Sequence, residues 1–370
     1  MSLCCFSARK KSLQDLGGFS VKNIRLFSFN ELRSATDNFH PSNRIGRGGF
    51  GTYKGILKNG TLIAAKVLSA ESRQGVNEFL TEIDVITNVK HPNLVELLGC
   101  CVQESNRILV YEFVENNSLE RSLLGLNSQT AELNWRIRSA ICLGAANGLA
   151  YLHEEIKPYI VHRDIKASNI LLDKSFTPKI GDFGLAKLFP DNITHISTRV
   201  AGTPGYLAPE YAMQGQLTRK ADVYSFGVLM LEIISGKSSS KSCWSEMEKS
   251  LLEWTWQLYE EERLIELVDP SLEEYSEEEA LRYLKAALFC TQATADRRPS
   301  MTQVVEMLSE PVRLNEKELR PPGLLHNSSG AGKDLKGTNS NSGSSTKDTS
   351  TVTILPYGST PVTMTEMHPR

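Results

Sequence analysis

His162-Arg163-Asp164-Ile165-Lys166-Ala167-Ser168-Asn169 sets a carboxylate, an ammonium and an amide within one short loop. Moving a phosphoryl group onto a hydroxyl calls for these groups: a carboxylate to orient the hydroxyl and take its proton, a positive charge beside the phosphoryl, and an amide oxygen on a divalent metal. Asp164, Lys166 and Asn169 have the types and the spacing for the three tasks, with Lys166 acting as a point charge. A chance polar loop is a poor account of all three together.

Working outward, Asp182-Phe183-Gly184 supplies a second carboxylate able to reach phosphate oxygens through a metal, with Gly184 free to turn the chain. Ala208-Pro209-Glu210 then closes a segment rich in Thr and Ser. Upstream, Gly46-Arg47-Gly48-Gly49-Phe50-Gly51 falls between two strand-like segments. A dinucleotide fold would place such glycines between a strand and a helix, so this context suits a flap whose backbone N–H groups lie over phosphates. Residues 61–67 follow an Asn59-Gly60 turn as a strand, whose alternation puts Ala64 and Lys66 on one face and Ile63 and Ala65 on the other. Phe79, Ile83 and Ile86 form a helical stripe, and Glu82 on that helix is the natural partner to hold Lys66 against α- and β-phosphates.

The rest of the chain frames these motifs. The 370 residues carry 41 basic and 43 acidic side chains, which gives no general electrostatic reason to bind nucleic acid. Seven cysteines without a C-x-x-C pair suggest neither a disulfide framework nor zinc, and no run of about 18 apolar residues offers a membrane span. Residues 1–26 read as a flexible arm. Ser28 and Glu31, at capping-box spacing, open a helix expected to run to the His40-Pro41 break, making 27–38 a helical extension. An α+β, bilobal architecture follows, with a small β-rich lobe over about 39–114 and a large helical lobe over about 115–312. Within the latter, 223–234 is apolar nearly all round and suits a buried helix. Residues 313–370 read as a disordered Ser/Thr-rich tail.

Taken in order, the motifs resemble the eukaryotic protein kinase family over roughly residues 39–312. More narrowly, Phe27-Ser28-Phe29-Asn30-Glu31-Leu32, Ala35-Thr36, Phe39 and Asp222-Val223-Tyr224-Ser225-Phe226-Gly227 resemble plant receptor-like cytoplasmic kinases. Lys166 and Gly202-Thr203-Pro204-Gly205-Tyr206 look like the serine/threonine branch. The resemblance implies ATP with Mg2+, or Mn2+, as cofactors, and protein substrates and an upstream receptor kinase as partners. It implies a cytoplasmic location, at the inner face of the plasma membrane if the arm binds there. It casts Asp164, Lys166 and Lys66 as catalytic, and Asn169 and Asp182 as metal ligands. Ile45, Gly46, Gly48, Gly49, Gly51, Lys66 and Glu82 would serve the nucleotide, with Ala64 and Leu171 sandwiching adenine, Tyr111 as gatekeeper, and Glu112 and Phe113 as hinge. Asp222 would brace the catalytic loop, Glu210 would pair with Arg298, and Arg163 would read a phosphate on the activation segment. Thr194, Ser197 and Thr198 are the candidate acceptors of that phosphate. Thr203 is counted with them, though its position also suits a contact with Asp164 and Lys166.

One departure stands out. Gly51-Thr52 runs straight into Tyr53-Lys54-Gly55, where the family usually has a valine before the tyrosine. A lost strand residue flips the facing of everything on one side of it, so either Tyr53 enters the adenine roof or the glycine hairpin absorbs the change. A scaffold of the same fold with weakened ATP binding is therefore the alternative reading; a small-molecule kinase would generally lack Ala208-Pro209-Glu210. Cys4 and Cys5, with Arg9, Lys10 and Lys11, allow a peripheral membrane contact or, equally, a plain solvated arm.

Overall fold

Period-two segments dominate the first third of the chain and period-3.6 segments the remainder, and the computed structural model follows that division. It describes residues 24–46, 50–69, 71–87, 89–103, 106–125, 133–190, 193–239, 250–310 and 315–322. The acylation candidates Cys4 and Cys5 and the flap residues Gly48 and Gly49 lie outside the described residues, as does most of the tail read as 313–370. Within that tail, residues 315–322 are described, and there Leu319 is buried and Gln292 donates to Arg320 O, so this stretch packs on the second lobe where disorder was expected.

The first lobe contains β1 (Arg25–Leu26), α1 (Phe29–Ala35), β2 (Arg44–Gly46), β3 (Gly51–Ile56), β4 (Leu62–Leu68), α2 (Arg73–Ile86), β5 (Leu97–Gln103) and β6 (Asn106–Glu112). The strands form one sheet in the order β1-β5-β6-β4-β3-β2. Its two faces pack differently. Ile63 and Ala65 point outward into a cluster with Phe27, Leu32, Leu57, Cys101, Ile108 and Val110, whereas Ala64 and Leu68 join Phe79, Ile83, Leu109 and Tyr111 on the inner side. The alternation read from residues 61–67 is thus realised, and the stretch from Phe27 to Leu32 covers the sheet's outer face. Burying Phe27 and Leu32 there contributes about 1.5–3 kcal/mol each before entropy is counted.

Helix α1 begins where the sequence places it, with Ser28 accepting from the Glu31 N–H. It ends at Ala35, well short of the expected His40-Pro41 break. The fully buried Thr36 hydroxyl donates back to Leu32 O at 2.8 Å and accepts from Phe39 N–H, offering the backbone an alternative to another helical turn. Asp37, Asn38 and Phe39 then take left-handed φ values of 52°, 59° and 53°. The Glu31 carboxylate accepts from Arg25 at 2.8 Å, so it is not committed to the cap as a reciprocal box would require.

The second lobe contains α3 (Leu119–Leu124), α4 (Trp135–Ala150), β7 (Tyr159–Val161), β8 (Ile170–Leu172), β9 (Pro178–Ile180), β10 (Lys187–Phe189), β11 (Ile196–Ser197), α5 (Pro209–Gln214), β12 (Gln216–Leu217), α6 (Arg219–Ser235), α7 (Leu251–Glu260), α8 (Glu277–Cys290) and α9 (Met301–Ser309). Helix α6 is buried on every side from Ala221 to Ser235, as its all-round apolarity requires. It runs against α8 so closely that a Cβ on Gly227 would sit 2.7 Å from Cys290 Cβ. Arg298, only 1% exposed, makes a two-pronged pair with Glu210 at 2.7 Å on each arm and ties α5 to the segment before α9. Among the described residues, no helix is long and apolar enough to cross a membrane.

Candidate active site

Lys66 enters the cleft from the inner face of β4, and its ammonium bridges two carboxylates. It donates to Glu82 Oε1 of α2 at 2.5 Å and to Asp182 Oδ1 at 2.6 Å. Burial works against the Lys66 charge, but Asp182 and Glu82 outweigh it and hold the ammonium above its ordinary range. Glu82 is fully buried, and burial pushes its carboxyl up to about 7 in spite of Lys66. The Tyr111 hydroxyl donates to the other Glu82 oxygen, so the side chain expected to serve as gatekeeper is joined to the same knot. Asp182, beside Lys66, is held below the usual carboxylate range by that charge.

Asp182 itself supplies the left-handed turn, at φ 63°, a task the sequence had assigned to Gly184. Gly184 has no positive φ; a Cβ there would lie 3.3 Å from Glu78 Cγ and Glu82 Oε1, so its lack of a side chain gives room to α2. Phe183 is fully buried and meets the His162 ring edge-on at 4.8 Å between centroids.

The catalytic-loop motif is braced from below. Asp222, on α6, accepts from the backbone N–H groups of His162 at 2.7 Å and Arg163 at 2.8 Å, and faces His153 Nε2 at 2.9 Å. Burial opposes its charge, but the hydrogen bond and charge of His153 and the neighbouring His162 carry its carboxyl below the ordinary value. These bonds hold Arg163 at φ 70°.

Above the brace, Asp164 and Lys166 meet over one hydroxyl. Thr203 donates to Asp164 Oδ1 at 2.6 Å and accepts from Lys166 Nζ at 2.7 Å, while Lys166 also pairs with Asp164 Oδ2 at 2.9 Å. Asn169 donates its amide N–H to Asp164 O at 2.8 Å and to Asp164 Oδ2 at 3.1 Å. With that nitrogen committed, the amide oxygen is the atom suited to a metal. A carboxylate on a left-handed turn and an amide oxygen are hard donors that fit a small divalent ion completing its shell with phosphate and water. The contact of Thr203 with Asp164 and Lys166 that the sequence allowed is thus present. A phosphate on its hydroxyl would face the Asp164 carboxylate.

The positions expected to hold a base come from both lobes. Ala64 and Tyr111 are opposed across β4 and β6, and Leu171 bridges to Ser118. The Glu112 carboxylate accepts from Lys179 Nζ and from Glu96 N–H, both at 2.9 Å, and the Glu112 N–H donates to Glu96 O. Lys54 lies over the Phe113 ring at 4.5 Å, and Ile45 is partly exposed at the mouth.

Tyr53 does not enter the roof. It is opposed to Ala65 on the outer face, stacks edge-on against Phe39 at 5.5 Å and donates to Phe50 O, leaving Thr52 opposite Lys66. The pairing irregularity falls between Arg44 and Gly46, and Gly51 takes φ 114°. Gly46 is opposed to Thr52 and meets it at 3.2 Å from its ideal Cβ.

Thr194 and Ser197 present exposed hydroxyls, and Thr198 is half-buried with its N–H on Gly215 O. Arg163, expected to await a phosphate, is already engaged by Leu185 O, Arg199 O and the Tyr211 hydroxyl. Tyr211 carries no motif signal of its own at this site; only the folded segment brings it there.

Residues 39–308 match the protein kinase domain. The chain is 56% identical over 310 residues to cold-responsive protein kinase 1 of Arabidopsis thaliana, covering 83% of this chain and 80% of that one. It is 52% identical over 309 residues to a probable leucine-rich-repeat receptor-like serine/threonine-protein kinase of the same plant, covering 83% of this chain and 30% of the relative. A lysine clamped by two carboxylates, a braced aspartate sharing a threonine with its lysine, and this likeness along most of the chain have one common meaning: the chain belongs to the protein kinase family.

Proposed function

We propose that this chain transfers the γ-phosphate of ATP, bound with Mg2+, to serine and threonine hydroxyls of other proteins. The observation that carries the reading is the triangle of Asp164, Lys166 and the Thr203 hydroxyl, set beside the Lys66 clamp. Asp164 orients the incoming hydroxyl and accepts its proton; Lys166 steadies the phosphoryl in flight. Lys66, held by Glu82, would hold the α- and β-phosphates, and Asn169 with Asp182 would hold the metal. When bound, that ion would supply positive charge to offset the charge of the phosphates. Mn2+ has the same hard-donor preference and is the substitute expected to work.

Thr203 positions an acceptor hydroxyl against Asp164, and regulatory phosphorylation falls to Thr194, Ser197 and Thr198. The receptor-like character of the relatives supports a place in receptor-linked signalling, downstream of a receptor kinase and in the cytoplasm. Cys4 and Cys5 with the basic residues after them supply a peripheral membrane contact, which a double serine variant would lose in fractionation. The scaffold alternative draws no support from the geometry, because the shortened strand keeps Thr52, not Tyr53, opposite Lys66.

The test uses the full chain with labelled ATP, Mg2+ and paired peptides differing only in serine, threonine or tyrosine. Label should enter the serine and threonine peptides, and Asp164→Asn should slow transfer by about 10²–10⁴-fold. Transfer confined to the tyrosine peptide, or undiminished in Asp164→Asn, would contradict the reading.

A further inference from the structure

Arg163 sits at the centre of a knot that the transfer chemistry does not use directly. Its Nε and Nη2 both donate to the Tyr211 hydroxyl, at 3.1 and 2.6 Å, while Nη1 reaches Leu185 O and Nη2 reaches Arg199 O, each at 2.9 Å. The same Tyr211 oxygen accepts the Ala201 N–H at 2.9 Å, and its own proton points to Arg199 O at 3.3 Å. Tyr211 is 1% exposed and Arg163 8%. One residue on, Gly202 at φ 130° passes so near Arg163 O that a Cβ would stand 2.7 Å from it. The next residue is Thr203, whose hydroxyl joins Asp164 to Lys166.

A buried phenol oxygen therefore gathers N–H donors from the catalytic loop and from the stretch that delivers Thr203. An acceptor at that point does for the arginine what a phosphate oxygen would do, without a modification. We propose that Tyr211 is a positioning residue: its hydroxyl docks residues 199–201 on Arg163 and so sets Thr203 against Asp164 and Lys166 while the activation segment is unphosphorylated. The proposal rests on the reading of Asp164 and Lys166 as the catalytic pair. Its effect is exerted on the acceptor side of the cleft, since Lys66, Asp182 and Asn169 share no bond with Tyr211.

Tyr211→Phe retains the ring and its packing and removes only the oxygen. Full-length protein treated with phosphatase, as wild type and as this variant, is compared by amide exchange over residues 199–203 and by steady-state kinetics on a serine peptide. The expected result is at least tenfold faster exchange at Ala201 and at least a tenfold lower kcat, with KM for ATP within twofold of wild type. Tyr211→Phe within twofold of wild-type kcat would overturn the proposal. A KM for ATP that rises with the fall in kcat would do so too, since it marks general damage to the fold. So would a dephosphorylated wild type whose Ala201 N–H exchanges as freely as the variant's, because the dock would then need a phosphate. The exchange measurement does not require turnover; protein that is protected at Ala201 but transfers no label would sink the kinase reading and leave the dock standing.

Discussion

The catalytic loop and the glycine-rich edge both serve the proposed nucleotide site, yet they are built on opposite terms. Around Asp164 the backbone is over-determined: Asp222 holds two consecutive N–H groups, His162 reaches Gly181 O, and Asn169 and Thr203 fix the carboxylate itself. At the edge, β2 and β3 pair with a shifted register, Phe50 stands 60% exposed, and Gly51 relies on a φ of 114°. A site that must hold reacting atoms within a fraction of an ångström needs the first kind of construction. A cover that must admit and release nucleotide works with the second, and its irregularity is confined to the β2–β3 pairing, which leaves the β3–β4 register unbroken from Gly51 opposite Val67 to Ile56 opposite Leu62.

The largest effect is expected on the braced side. Asp222→Ala strips acceptors from two buried N–H groups, which should cost about 3 kcal/mol or more of stability. It should also lower phosphoryl transfer by roughly a hundredfold through misplacement of Asp164. Thermal melting and single-turnover rates check both, and near-normal turnover would show that the loop stands without its brace.

A middle-sized effect tests the clamp between the two regions. Glu82 takes up a proton as pH falls through about 7. Transfer should drop by roughly tenfold on that acid limb as Lys66 loses one of its two anionic partners. Stability responds with the opposite sign. The folded chain holds this proton more tightly than an unfolded carboxyl at 4.5, so the contribution of Glu82 to stability declines as pH rises from about 4.5 to about 7. Glu82→Gln should abolish the limb and leave the low rate at every pH; a limb that persists in this variant would assign it to another group.

The smallest change is expected at the edge. Inserting a valine after Thr52 should alter KM for ATP by roughly fivefold or less, under about 1 kcal/mol, because the irregular β2–β3 pairing can take up one residue. A much larger change, in either direction, would make the glycine edge as exacting as the catalytic loop.

What the sequence could and could not disclose divides along the same line. Lys66 opposite Glu82 was legible because strand alternation and helical periodicity each fix a face, and the two faces meet. The grouping of Asp164, Lys166 and Asn169 was legible because a few residues carry it. The early stop of α1 was not, since it depends on the Thr36 hydroxyl turning back to Leu32 O, a choice made among competing local bonds. Nor was the outward turn of Tyr53, which needs the partner register and the Phe39 ring. The left-handed turn fell on Asp182 instead of Gly184, aspartate being one of the few non-glycine residues that adopt it, and the side chain so placed pairs with Lys66. Tyr211 lies far along the chain from Arg163, and no pattern within either segment predicts that they touch.

The most direct measurement is a crystal structure of the full chain with Mg2+ and a non-hydrolysable ATP analogue. The metal should sit about 2.0–2.1 Å from oxygens of Asn169 and Asp182, with Lys66 between Glu82 and the α- and β-phosphates and Asp164 clear of the metal, turned to the acceptor side. A nucleotide lodged elsewhere, or a metal in the cleft that neither Asn169 nor Asp182 touches, would contradict the account.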